Sequence, residues 1–173
     1  MSLVYLGLGS NLGDRLSYIQ QAVQLLKDNN DIKILYTSSF YETEPVGIKS
    51  EQWFINAVIA VETSIDAETL LKMCLEIEST LGRARDSINT KLNYESRTID
   101  IDILFYDDLI ISTDIVQVPH PRVHQRAYTL VPLLELNPDL IHPIFDMTLL
   151  DIHSTLLDPE EVYLYGTRRQ RHE

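Results

Sequence analysis

The sequence holds a single cysteine, a single tryptophan and only six glycines in 173 residues. With Cys74 alone, no internal disulfide can form. Cys74 sits among Leu70, Leu71, Met73 and Leu75 in a helix-patterned stretch, and both a small core residue and a reactive thiol fit there. Basic residues are also few. Fourteen Lys and Arg stand against 26 Asp and Glu, a formal net charge of −12, which argues against a nucleic-acid binder with its basic footprint. No apolar run approaches the length of a membrane span, and residues 1–8 lack the basic flank of a signal peptide. A cytoplasmic protein with no membrane partner is expected. The five histidines show no spacing suited to zinc. No repeat and no linker composition interrupts the chain. With 45% hydrophobic residues, one domain over residues 1–173 is expected.

Residues 3–8 form an apolar run that reads as a strand. Gly9 to Gly13 make a turn, and a helix follows from Asp14, where Leu16, Ile19, Val23 and Leu26 recur at helical spacing. Residues 32–41 and 53–61 read as strands able to pair as a long hairpin. The spacing of Leu70, Leu71, Cys74, Ile77 and Leu81 predicts a helix over 66–81, stopped by Gly82. Residues 86–96 are polar and unpatterned. Residues 99–105 read as a strand, 107–111 as a turn into a short edge strand, and 128–136 as a helix interrupted by Pro132. A last helix is expected over 148–157, and the tail from about residue 150 carries no usable motif. This order is that of the ferredoxin-like split βαβ unit: an α+β sandwich with an antiparallel sheet, helices on one face and the active-site cleft on the other.

The strand at 99–105 carries two carboxylates where a core strand has none. Strand alternation turns Ile99, Ile101, Ile103 and Phe105 toward the helices, and Thr98, Asp100 and Asp102 toward the other face. Carboxylates this close repel unless a cation sits between them. Mg²⁺ takes one or two carboxylates plus substrate phosphates. Arg83, Arg85, Lys91, Arg97, Arg122 and Arg126 flank the pair, and guanidinium matches phosphate bidentately. The pattern points to metal-assisted phosphoryl transfer; from spacing alone, a salt-bridged surface pair fits as well. The glycine turn Gly7-Leu-Gly9-Ser-Asn-Leu-Gly13 misses the dinucleotide fingerprint by one position, and no Gly-Lys-Ser/Thr follows it. It serves a tight turn as well as it would serve a ligand. His120 lies between Pro119 and Pro121, in a loop stiff enough to fix an imidazole; polar surface is the other reading.

Together these stretches resemble the 6-hydroxymethyl-7,8-dihydropterin pyrophosphokinase family of folate biosynthesis. The resemblance rests on Tyr5-Leu-Gly-Leu-Gly-Ser-Asn-Leu-Gly-Asp14, Phe40-Tyr-Glu-Thr-Glu-Pro-Val-Gly47, Phe54-Ile-Asn56, Gly82-Arg-Ala-Arg85, Arg97-Thr-Ile-Asp-Ile-Asp-Ile-Leu104, Pro119-His-Pro-Arg122 and Arg126-Ala-Tyr128. These run in family order within residues 4–136. The resemblance implies the ferredoxin-like fold and transfer of diphosphate from ATP to the hydroxymethyl group of a reduced pterin, leaving AMP. It implies two Mg²⁺ ions on Asp100 and Asp102, with Arg83 and Arg97 assisting transfer. It implies ATP contacts from Glu78, Arg85, Ile103, His120 and Arg126. The pterin pocket maps onto Thr43, Val46, Phe54, Asn56, Tyr94 and Tyr128. Tyr94-Glu95-Ser96-Arg97 departs from the family, which often has Trp or Tyr, then Gly-Pro, before the arginine. The partners implied are ATP and the pterin alone, with no nucleic acid, no membrane and no obligate protein. An RNA-recognition module shares the topology but needs exposed aromatics where Asp100 and Asp102 stand. A nicotinamide-dependent oxidoreductase rests only on the imperfect glycine turn, and no residue supplies the chemistry of a folate-pathway aldolase.

Overall fold

The computed structural model describes residues 1–47, 52–82 and 97–168. In chain order its elements are β1 (Ser2–Ser10), α1 (Arg15–Lys27), β2 (Ile32–Thr37), β3 (Tyr41–Thr43), β4 (Phe54–Thr63), α2 (Ala67–Thr80), β5 (Asp100–Tyr106), β6 (Ile111–Ser112), β7 (Gln117–Val118), a 3₁₀ turn (Val123–Gln125), α3 (Ala127–Leu136), β8 (Ile141–His142), β9 (Met147–Thr148), α4 (Leu149–Ser154) and β10 (Val162–Leu164). Six strands form one antiparallel sheet. β1 lies between β4 and β5, and the other edge of β4 carries β2 and β3 in turn, with β10 outside β3.

The strand expected over 32–41 is therefore two strands. At the break Ser38 N donates to Val58 O at 2.8 Å, and Val58 N donates to Ser38 Oγ at 2.9 Å. A hydroxyl replaces a backbone carbonyl in the ladder, and the chain steps out of the sheet. The segment at 107–111 also differs from expectation. β6 pairs with β7 in a separate two-stranded sheet rather than along the main one. The two long helices match their sequence signals. Asp14 caps α1 by accepting from Ser17 N, and Asp66 caps α2 by accepting from Glu68 N and Thr69 N. Gly82, at φ +86°, follows α2. Pro132 lies inside α3 without ending it.

The sheet is covered on both faces. On one, Leu6, Leu8, Ile59, Ile101 and Ile103 pack with Ile19 and Leu26 of α1 and Leu70, Cys74 and Ile77 of α2. On the other, Tyr5, Val58, Ala60, Leu104 and Phe105 pack with Leu130 and Leu133 of α3 and Leu149 and Ile152 of α4. This corrects the expectation of helices on one face only. An apolar second face of this size has to be covered, since burying each Leu or Ile side chain contributes about 1.5–3 kcal/mol. Phe105 is also on the opposite face from the one strand alternation gives. The β1–β5 register shifts between Leu6↔Ile103 and Tyr5↔Phe105. The extra residue, Leu104, turns Phe105 over. α3 and α4 cover the Tyr5 end of the second face, which leaves the Gly7–Gly9 end open.

Candidate active site

The register of three strands builds the floor of the cleft. Asp102 stands opposite Gly7, Asp100 opposite Gly9, and Asn56 opposite Gly9 on the other side. Directly paired residues share a face, so both aspartates and Asn56 rise from the open end of the sheet. The glycines make room for them. A Cβ on Gly9 would lie 2.7 Å from Asn56 Oδ1, and one on Gly7 would lie 3.3 Å from Leu104. Asn56 Nδ2 donates to Thr43 Oγ1 at 2.5 Å, which ties β4 to β3 and fixes the amide. The turn beyond Gly9 has a second use. Arg97 N donates to the buried Asn11 Oδ1 at 2.7 Å, and Asn11 N to Arg97 O at 3.1 Å. The glycine turn thus anchors the chain just ahead of the aspartate strand.

The two carboxylates are not equivalent. Arg97 Nη1 holds Asp100 Oδ2 at 2.7 Å. Asp102 has no hydrogen-bond donor among the described residues, and His120 Nε2 approaches its Oδ2 to 3.9 Å. Burial first, and then the charge of Asp100, push the Asp102 carboxyl above the usual carboxylate range, against the opposing pull of Arg126 and Arg97. Burial and Arg126 push His120 down to about 4, so its ring is neutral at pH 7 and the 3.9 Å approach is no ion pair. The amide of Arg122 donates to His120 Nδ1 at 3.1 Å. The neutral ring therefore carries its proton on Nε2, which faces Asp102. Leu104 O accepts from His120 N at 2.9 Å, so β5 itself sets the pose of the imidazole.

Two hollows meet here. A cavity of about 430 Å³ is lined by Thr43, Val46, Phe54 and Asn56 on one side, by Arg97, Asp100 and Asp102 on the floor, and by His120, Arg126 and Tyr128 on the other side. A smaller hollow of about 270 Å³ is lined by Leu71, Ile103, Val116 and Pro121, and shares Asp102 and His120 with the first. Ten of the residues singled out from sequence thus line one cavity, and Ile103 lines its neighbour. Glu78 lines neither. It is buried, and its Oε1 accepts from Ile101 N at 2.8 Å, bracing β5 from beneath. Arg83, Arg85 and Tyr94 lie outside the described residues. The cavity also takes in Arg122, one of the arginines read as flanking the aspartates, and Gly7, Gly9, Glu44, Gln125, Thr129 and Glu160, which were given no site role. The two glycines and Arg122 lay in motifs already noted. Gln125 and Glu160 carried no local signal.

The donor set suits a hard cation. Two carboxylates supply oxygen ligands, one of them with its charge uncompensated by any hydrogen bond, and the cavity beside them can admit phosphate oxygens as the remaining ligands. Among the described residues no group of three acidic, His or Cys side chains forms a closed site.

The family model described as 7,8-dihydro-6-hydroxymethylpterin-pyrophosphokinase matches residues 5–138. Over 141 residues the chain is 40% identical to the 2-amino-4-hydroxy-6-hydroxymethyldihydropteridine pyrophosphokinase of Methylorubrum extorquens, covering 82% of this chain and 86% of that one. It is 39% identical over 145 residues to the protein of the same name from Aquifex aeolicus, covering 84% and 86%. It is 38% identical over 155 residues to the folic acid synthesis protein fol1 of Pneumocystis carinii, covering 90% of this chain but 20% of that one. Among solved structures, a crystal structure of HPPK-DHPS in complex with substrates superposes with a TM-score of 0.69 at 14% identity, over 89% of this chain and 43% of that chain. That likeness is one of fold, and this chain spans under half of that longer protein.

Proposed function

Since the chain belongs to the 7,8-dihydro-6-hydroxymethylpterin-pyrophosphokinase family, we infer that it transfers diphosphate from ATP to the hydroxymethyl group of 6-hydroxymethyl-7,8-dihydropterin, releasing AMP, in folate biosynthesis. The observation that carries this reading is the pair of hollows sharing Asp102 and His120. A bisubstrate transfer needs two sites whose reacting ends meet. In this reading the larger cavity takes the pterin. Asn56 and Thr43 meet its polar edge, and Phe54 and Tyr128 offer ring faces. The smaller hollow, lined by Leu71, Ile103 and Val116, takes the nucleotide. The pterin hydroxyl oxygen attacks the β-phosphorus of ATP and gives up its proton to solvent, the bond from that phosphorus to the α,β-bridging oxygen breaks, and AMP leaves with the electron pair.

Each residue of the chain has a task in this step. Arg97, held by Asp100 and by the Asn11 turn, offers a pre-aimed guanidinium to the phosphates. Arg126 adds positive charge from the opposite wall. His120, neutral with its proton on Nε2, donates a hydrogen bond to a phosphate oxygen without adding charge. Asp100 and Asp102 would hold Mg²⁺, two ions in this reading, which supplies the charge that offsets the phosphates. Arg83 and Arg85 add phosphate contacts and Tyr94 a pterin contact. Glu78 acts on the nucleotide side through the strand it braces. The order β1, α1, β2–β3, β4, α2, β5 supports a ferredoxin-like sandwich whose second face is partly covered. We read residues 1–173 as one enzyme domain that works on diffusible substrates in the cytoplasm without an obligate partner. Among the described residues no helix is long and apolar enough to cross a membrane.

The test is direct. The chain is incubated with ATP, Mg²⁺ and the reduced hydroxymethylpterin, and nucleotides are separated by chromatography. Stoichiometric AMP and pterin diphosphate are expected; ADP, or no pterin-dependent AMP, would overturn the assignment.

A further inference from the structure

The C-terminal segment lies beyond the residues matched by the family model, yet it reaches the cleft. Glu160 lines the larger cavity, and its Oε2 accepts from Ala127 N at 2.8 Å. Ala127 is the first residue of α3. The N-cap position of α3 is held by Arg126, which makes no capping side-chain hydrogen bond, because a guanidinium has donors only. Glu160 therefore supplies the missing acceptor from 33 residues downstream, with a charge of the sign a helix N-terminus favours. The end it caps carries Arg126, Tyr128 and Thr129, all on the cavity wall.

The next residue is tied to the opposite wall. Glu161 O accepts from Glu44 N at 3.2 Å, and Glu161 N donates to Glu44 Oε1 at 3.1 Å. Glu44 follows Thr43 and also lines the cavity. β10 then continues along β3, with Val162 opposite Thr43. Farther on, Arg168 Nε donates to Glu42 Oε2 at 3.0 Å and its guanidinium lies 4.1 Å from the ring centroid of Trp53, next to Phe54. Two consecutive residues thus hold both walls of the cleft, and the strand beyond them secures one wall along its length.

We propose that Glu160 and Glu161 form a positioning bridge that sets the distance between the Thr43–Glu44 wall and the Arg126–Tyr128 wall, and so tunes the fit of the flat heterocyclic substrate. The bridge rests on the pterin reading of the larger cavity. Glu160 acts through the end of α3. Its loss lets one wall drift while the aspartate strand and the nucleotide hollow stay in place. The consequence falls mainly on pterin fit, through Tyr128, and more weakly on the phosphates, through Arg126.

Full-length wild type, Glu160→Ala and Glu160→Gln are compared by steady-state kinetics with ATP, Mg²⁺ and reduced hydroxymethylpterin, each with a thermal melt. In Glu160→Ala the KM for the pterin is expected to rise about tenfold, the loss of one charge-assisted hydrogen bond, with kcat and the KM for ATP each changed less than about threefold. Glu160→Gln is expected to stay within about threefold of wild type, because its amide oxygen still accepts from Ala127. An unchanged pterin KM in a folded Glu160→Ala protein overturns the bridge, as does a Gln variant as impaired as the Ala variant. Should Glu160→Ala fail to melt cooperatively, Glu160→Asp, one methylene short of the amide, makes the same comparison. A wild-type chain that forms no pterin-dependent AMP overturns the underlying reading and the bridge with it, an outcome distinct from the others because it appears before any variant is made.

Discussion

Asp102 is a carboxylate kept where its charge is poorly compensated. Its neighbours on β5 are core isoleucines, the imidazole 3.9 Å from it is neutral, and Asp100 repels it. Such a group stores instability that a bound cation and substrate relieve. Two opposite effects are expected of Asp102→Asn. Without metal, the variant should melt a few degrees above wild type, because about 1 kcal/mol of unmet charge is removed. With Mg-ATP and pterin, turnover should fall at least about 100-fold. Melting curves in chelator and a turnover assay check both; a destabilised variant with normal turnover would refute the assignment. Arg97 tests the geometry rather than the charge. Its Nη1 contact with Asp100 at 2.7 Å fixes where the planar guanidinium points. Arg97→Lys should keep the charge and still lose roughly tenfold in kcat/KM for ATP, because an ammonium cannot make two parallel bonds. Full activity in the lysine variant would show that a point charge suffices there.

At the scale of elements, the floor of the cleft depends on β1 having almost no side-chain volume where β4 and β5 put theirs. Gly9→Ala places a methyl 2.7 Å from Asn56 Oδ1, and the amide must leave Thr43. The pterin KM should rise about tenfold or more while the KM for ATP changes little, measured by varying each substrate in turn. The alternation of β5 was legible in sequence because period two is written into Ile99, Asp100, Ile101, Asp102 and Ile103, and so were both long helices from their apolar spacing. What escaped was decided by contacts between distant segments. The bulge at Leu104 that turns Phe105 over is a matter of register with β1. The Ser38 break shows only beside Val58, and β10 is three residues long and has a meaning only against β3. The site divided along the same line. Residues inside compact motifs could be named from sequence. Gln125 and Glu160 could not, because their significance lies in the residues they face and not in their neighbours along the chain.

For the molecule as a whole, acid should be the weak direction. His120 and His142 are both pushed down to about 4, burial being the largest cause for each. His142 is 2% exposed and packs against Phe105 and Phe145, with its Nε2 unpaired. In the unfolded chain both imidazoles titrate near pH 6.5. Between about pH 6.5 and 4 the unfolded state binds more protons at these two rings, so their share of stability is full above that window and falls as pH drops through it, outweighing the opposite effect of the single raised Asp102 carboxyl. The loss reaches roughly 3 kcal/mol per buried imidazole. Urea unfolding of the metal-free protein at pH 7.5, 6 and 5 should show the decline. His142→Asn, whose amide oxygen can still accept from Ile144 N as His142 Nδ1 does at 3.3 Å, should flatten the slope. An unaltered slope would mean that His142 is not among the groups that charge.

The bond between Glu44 and Glu161 spans 117 positions of the chain. Ribosomes extend a chain at about 5–20 residues per second, so on the order of ten seconds separate the synthesis of its two ends. The sheet can form most of its ladders in that interval, since β1 to β5 are already made. The cleft cannot close on its far side until residues 160–161 have emerged and found Glu44 and Ala127. Of everything in the molecule that bears on its substrates, the width of this opening is therefore fixed last in time, after the aspartate strand has been in place for more than fifty residues of synthesis.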